Sequence, residues 1–117
     1  MAVFDVWDIV TVPFPYTNRP IEQRRPALIL AVIEAAGSPV MLWVAMITSA
    51  ANRAWPKDIP ITDPHMAGLP APSVIRLAKI ATIELAAARQ LGRLAIPDRP
   101  MVRQVLAHYL AHASRPA

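Results

Sequence analysis

Thirteen prolines are spread through 117 residues, against only three glycines. That ratio restricts the fold more than any other feature of the chain. Proline has no amide hydrogen, and its ring collides with the preceding turn, so it ends helices and stays out of central strands. From Pro13 to Pro100 the prolines recur on average about every eight residues, which leaves no room for a long helix until the tail. Between them lie the runs DIVTVPF, ALILAVI, VMLWVAMI, IPIT and SVIRLAKIATI, rich in valine, isoleucine, threonine and aromatics. Several of these runs alternate. SVIRLAKI sets Val74, Arg76, Ala78 and Ile80 on one face and Ile75, Leu77 and Lys79 on the other. Short strands at this spacing predict a small antiparallel β barrel or sandwich.

The tail has a different period. In DRPMVRQVLAHYLAHA, residues Met101, Val102, Val105, Leu106, Tyr109, Leu110 and Ala113 share one helical face. Asp98 stands where it can cap that helix, and Pro100 falls in the tolerant first turn. Residues 84–90 read as a short helix that Gly92 ends. The expected whole is one domain over residues 1–117, mostly β with a C-terminal helix.

Composition removes several function classes. The chain has no cysteine, so disulfides, thiolate catalysis and cysteine-held metals are all excluded. Hydrophobic residues make up 55% of the chain, which supplies a core and argues against disorder. The longest purely apolar run, Val40 to Ile47, is far short of the roughly 20 residues that a membrane span needs. Asp5 and Asp8, with no basic residue before them, argue against a secretory leader. The net charge of +4, almost all of it arginine, favours a polyanionic partner such as nucleic acid or an acidic protein.

One site can be argued from residues alone. Arg24 and Arg25 precede Pro26 at the mouth of an apolar strand, and a second strand ends in Thr48 and Ser49. A guanidinium beside a hydroxyl at one rim forms a phosphate cradle. Arg76 and Lys79, three apart on one strand, are expected on opposite faces. Trp55, between Arg53 and Lys57, could stack on an unpaired base or meet a protein partner, while Trp43 reads as core. His65 belongs to an exposed loop, and His108 and His112, four apart on the tail helix, lack a third ligand for a metal.

The ordered set WDIVTVPFPYTN, RRPALIL, VAMITS and SVIRLAKIATIE resembles the MazF/PemK family of toxin–antitoxin toxins over about residues 5–112. The resemblance implies a small SH3-like antiparallel β barrel with a C-terminal helix, and a homodimer. It implies a cytoplasmic, metal-independent and cofactor-free endoribonuclease that cuts single-stranded mRNA at selected sequences, leaving a 2′,3′-cyclic phosphate and a 5′-hydroxyl. A cognate antitoxin would neutralise it with a partly disordered acidic segment. Carried over by position, Arg25 and Thr48 contact the scissile phosphate, Arg76 matches a strand arginine of the family and Glu22 is the candidate base; read from charge and placement alone, Arg19, Arg24, Ser49, Trp55, Arg76 and Lys79 are candidate RNA contacts.

Three positions depart from the family pattern. The aspartate that follows the strand arginine by two residues in some members is Ala78, Glu22 stands two positions nearer Arg25 than usual, and Trp7 replaces a glycine. Three alternatives stay open for the base: Glu22 takes the proton, phosphate neutralisation alone activates the 2′-hydroxyl, or cutting is poor. Two other functions also stay open. One is a catalytically inactive barrel that binds nucleic acid or antitoxin, and the other is a gyrase-poisoning toxin of the same fold.

Overall fold

The computed structural model describes residues 3–13, 23–113 and 115–116. The elements are β1 (Asp8–Pro13), β2 (Arg24–Ile33), β3 (Met41–Ser49), β4 (Ile59–Pro60), β5 (Ser73–Glu84), β6 (Arg89–Arg93) and one helix, α1 (Arg99–Leu110). Short 3-10 turns at Leu85–Ala87 and Ile96–Asp98 flank β6. All strand pairs are antiparallel, in the order β4-β5-β3-β2-β1-β6. The order is linear, so β4 and β6 do not meet and the sheet stays open. The expected mostly-β fold with a C-terminal helix is present, although "barrel" describes it only loosely.

The central strands are buried on both faces, which is why ALIL and VAMI read as unbroken apolar runs. One core gathers Ile9, Leu28, Ala45, Ile47, Ile75 and Leu77 beneath Val102 and Val105 of α1. The other gathers Val10, Val12, Ala27, Ile29, Leu42 and Val44 with Ala81 and Ile83. Strand β5 therefore serves both cores, and a bulge makes the switch. Met46 pairs with Arg76, while its neighbour Ala45 pairs with Ile80, so residues 77–79 have no opposite number on β3. Such an insertion bends and twists the strand. The regular alternation expected of SVIRLAKI ends at this bulge.

Three further expectations need correction. Residues 84–90 form only the 3-10 turn Leu85–Ala87, and Gly92 lies inside β6, paired with Ile9. Ladder hydrogen bonds to β1 outweigh the weak local helix preference there. Asp98 does not cap α1, because its carboxylate accepts from the amide and the hydroxyl of Thr62, at 3.0 and 3.1 Å. Trp43 is not core but 47% exposed. It lines an apolar groove of 340 Å³ with Leu30, Ile80, Leu106 and Leu110, beside the C-terminal half of α1. The helix buries Val102 and Val105 fully, but Met101, Tyr109 and Leu110 stay exposed, so its apolar stripe is wider than the surface it covers.

Trp7 has φ +78°, a left-handed conformation that costs a residue with a Cβ about 1–2 kcal/mol. The surroundings hold it there. Its amide donates to the Ile29 carbonyl at 3.1 Å, and its own carbonyl accepts from Leu94 at 2.9 Å. Its ring packs on the first core beneath the guanidinium groups of Arg99 and Arg103, 5.5 and 5.0 Å from the ring centre. Gly68, at φ +74°, lies so close to the Leu91 carbonyl that a Cβ would clash with it. That contact seats the turn of residues 62–69 against β6.

Candidate active site on the β2–β3–β5 rim

The ends of three adjacent strands carry the candidate residues. Arg25 pairs with Val12 of β1, and Thr48 pairs with Val74 of β5. Between β2 and β3 the last pair is Ala27 with Met46, and the same antiparallel register continued by two residues sets Arg25 opposite Thr48. Alternation puts both side chains on the face of Ala27 and Met46, above the second core. Arg76, the partner of Met46, lies on the same face.

Arg25 is half-buried, and its Nη2 donates to Gln23 Oε1 at 3.2 Å in an exposed contact. Among the described residues no carboxylate pairs with it. Arg24 points to the other face. Its Nη2 donates to the Thr11 carbonyl at 2.7 Å and to the Ala87 carbonyl at 2.8 Å, so it ties β1 to the turn before β6. Its charge is committed to backbone rather than held out to solvent.

The Thr48 side chain is buried at the end of β3, and its Oγ1 accepts from Asn52 Nδ2 at 2.7 Å. The turn that brings Asn52 back is built from local bonds. The Asn52 amide donates to the Ser49 carbonyl, and Ser49 Oγ accepts from the Ala51 amide. Serine and asparagine favour such turns because their side chains bond nearby backbone.

Arg76 is buried, and Asp58 holds it from two sides: Nε donates to Oδ1 at 3.1 Å and Nη2 to Oδ2 at 2.9 Å. Nη2 also donates to the Arg53 carbonyl at 2.9 Å. These guanidinium bonds hold the Asp58 carboxyl below the usual carboxylate range, and the same pairing raises the Arg76 pKa. The Arg76 guanidinium lies 4.2 Å from the centre of the Trp55 ring, and the Lys79 ammonium 4.8 Å from it. The bulge thus brings to one ring two cations expected on opposite faces. Trp55 remains 37% exposed.

Glu22 and Arg19 lie outside the described residues. His65 is exposed in the turn after Asp63, and His108 is exposed on α1. Among the described residues no group of three or more His, Asp or Glu could hold a metal ion. No helix among them is long and apolar enough to cross a membrane. Reading the sequence missed Asn52 and Asp58. A signal existed for Asn52, an asparagine four residues past a strand-end threonine. For Asp58 none did, because its partner is 18 residues away.

The model of PemK-like, MazF-like toxins of type II toxin–antitoxin systems matches residues 5–110. The chain belongs to this toxin family. Solved MazF structures share its fold. The Mycobacterium tuberculosis toxin MazF-mt6 is 22% identical, with a TM-score of 0.66 over 89% of this chain and 96% of that one. MazF from Deinococcus radiodurans, in its Form-I crystal structure, is 24% identical, with a TM-score of 0.67 over 95% of this chain and 99% of that one. Comparison with curated protein sequences finds no significant match. In this MazF-family chain Trp7 takes a left-handed backbone, a conformation that glycine would adopt without strain.

Proposed function

We propose that this toxin is a sequence-selective, metal-independent endoribonuclease that cuts single-stranded mRNA and so stops translation and growth. One observation supports the reading: Arg25 and Thr48 lie at neighbouring strand ends, each two residues beyond the last β2–β3 pair of Ala27 with Met46, with no acidic partner on the arginine among the described residues. A guanidinium and a hydroxyl on neighbouring strand ends suit the non-bridging oxygens of a phosphodiester.

In this mechanism the 2′-oxygen attacks phosphorus, the bond from phosphorus to the 5′-oxygen breaks, and a 2′,3′-cyclic phosphate remains. The 2′-hydroxyl proton passes to a base, for which Glu22 is the candidate, and the leaving 5′-oxygen takes a proton from solvent. Arg25 stabilises the charge that spreads over the phosphoryl oxygens. It is not the base, because a guanidinium does not give up its proton near neutrality. Thr48 donates a hydrogen bond to the same group. Ser49, Trp55, Lys79 and Arg19 border the RNA path, Trp55 through its exposed ring and the cations through the backbone phosphates. Arg24 braces this surface from the other face, and Arg76, on the same face, is held by Asp58 beside Trp55. The family implies a cognate antitoxin, and we read the chain as a cytoplasmic homodimer.

The test is purified protein with a long single-stranded RNA in EDTA, wild type beside Arg25→Ala. Expected are cuts at defined sites with 5′-hydroxyl ends, and a rate loss on the order of 10²–10³ in the variant. RNA that is bound but left whole by the wild type would overturn the enzyme reading in favour of a binding module.

A further inference from the structure

We infer that Asn52 is a positioning residue for the Thr48 hydroxyl: its side-chain amide fills an acceptor site on Oγ1 and so turns the single hydroxyl hydrogen outward, toward the bound phosphate. The inference rests on the ribonuclease reading and deepens it.

A threonine hydroxyl has one hydrogen and two acceptor sites. Left alone, that hydrogen samples about three staggered positions, and only one can meet a given phosphate oxygen. The bond from Asn52 Nδ2, at 2.7 Å, is short for an amide donor and occupies one lone pair. The hydrogen must then point elsewhere. Burial of Thr48 limits its access to water, which would otherwise compete for the proton. The turn is shaped for this delivery. Ser49 holds the Ala51 amide and the Ser49 carbonyl holds the Asn52 amide, so the Asn52 side chain folds back over the strand end by four residues. The same loop is pinned one and three residues later, where Arg76 donates to the Arg53 carbonyl and stacks on Trp55. Asn52 is itself exposed and contributes nothing to either core, so its side chain has no packing role that would account for its place.

The bond has a direction that can be tested. With an amide at position 52 the hydroxyl donates outward. With a carboxylate there, which only accepts, the hydroxyl donates inward and is lost to the phosphate. The experiment is single-turnover cleavage of saturating RNA by wild type, Thr48→Val, Asn52→Ala, Asn52→Asp and Ala51→Asp. The last variant places the same new charge one residue away, on an exposed position of the turn. Expected for Asn52→Ala is a fall of about three-fold or more in the cleavage rate, with RNA affinity unchanged. Expected for Asn52→Asp is a fall on the order of 10², close to that of Thr48→Val, while Ala51→Asp weakens binding but keeps the rate. Equal melting temperatures exclude a folding cause. An Asn52→Ala variant that cuts at the wild-type rate, or an Asn52→Asp variant no slower than Ala51→Asp, overturns the inference alone. A wild type that does not cut overturns the ribonuclease reading, and this inference with it.

Discussion

Two residues carry the chemistry proposed here, Thr48 and Arg25. Thr48 gives an acceptor site to Asn52, and Arg25 spends one donor on an exposed bond to Gln23. Thr48→Val keeps the shape and removes the donor, so cleavage should slow on the order of 10² while melting is little changed. Parallel rate and melting measurements check this, and a variant that melts early would shift the residue's role from catalysis to structure. Trp7 offers a second residue-scale test. Trp7→Ala should destabilise by about 3 kcal/mol through lost packing. Trp7→Gly should be milder than Trp7→Ala by about 1 kcal/mol, because glycine takes the left-handed backbone without strain. Denaturant titration of the two variants decides it, and the reverse order would show that the φ of +78° carries no cost.

Among the elements, β5 and the loop before β4 decide the shape of the site. Asp58 and Arg76 join them in a nearly dry pair, with side-chain exposures of 9% and 8%. Asp58→Ala should cost about 2 kcal/mol and free the loop of residues 50–58, read as faster amide exchange there. Arg76 holds the folded-state pKa of Asp58 below its unfolded value, so the pair's contribution is present above about pH 4 and is lost as pH falls further. Asp58→Asn should therefore flatten the acid limb of the stability curve below about pH 4 and leave its slope near neutrality unchanged.

This pair also marks the limit of what could be read in advance. The strand runs, the tail helix and the places of Arg25 and Thr48 at strand ends were legible, because they follow from local period and from proline placement. The bulge at 77–79 was not. It inserts residues without any turn signal, and it alone moves Lys79 to the Trp55 ring beside Arg76. Nor was Trp43 legible as exposed, since alternation says which face a residue takes but not where the covering helix ends.

At the scale of the whole molecule, the proposed RNA binding should weaken with salt, as the net charge of +4 implies. Each phosphate contact on a single strand adds about 0.7 to the slope of log affinity against log salt, so Lys79→Ala should lower that slope by roughly this amount if the ammonium meets a phosphate. Binding isotherms across a salt series measure it. The apolar groove between Trp43, Leu30 and Leu106 is the face we propose for the second copy of the homodimer. Leu106→Glu should shift the sedimentation coefficient from dimer to monomer while the fold persists.

The open sheet has a consequence for colloidal behaviour. Among the described residues β4 and β6 pair with no further strand on their outer sides, and an unpaired strand edge is a template on which further strands can grow. Both margins discourage growth. β4 is two residues long and ends on Pro60, which has no hydrogen to offer a newcomer, while β6 carries Arg89 and Arg93 at its two ends and repels a like strand. Short length and proline on one margin, and two arginines on the other, both work against growth of the open sheet into fibres.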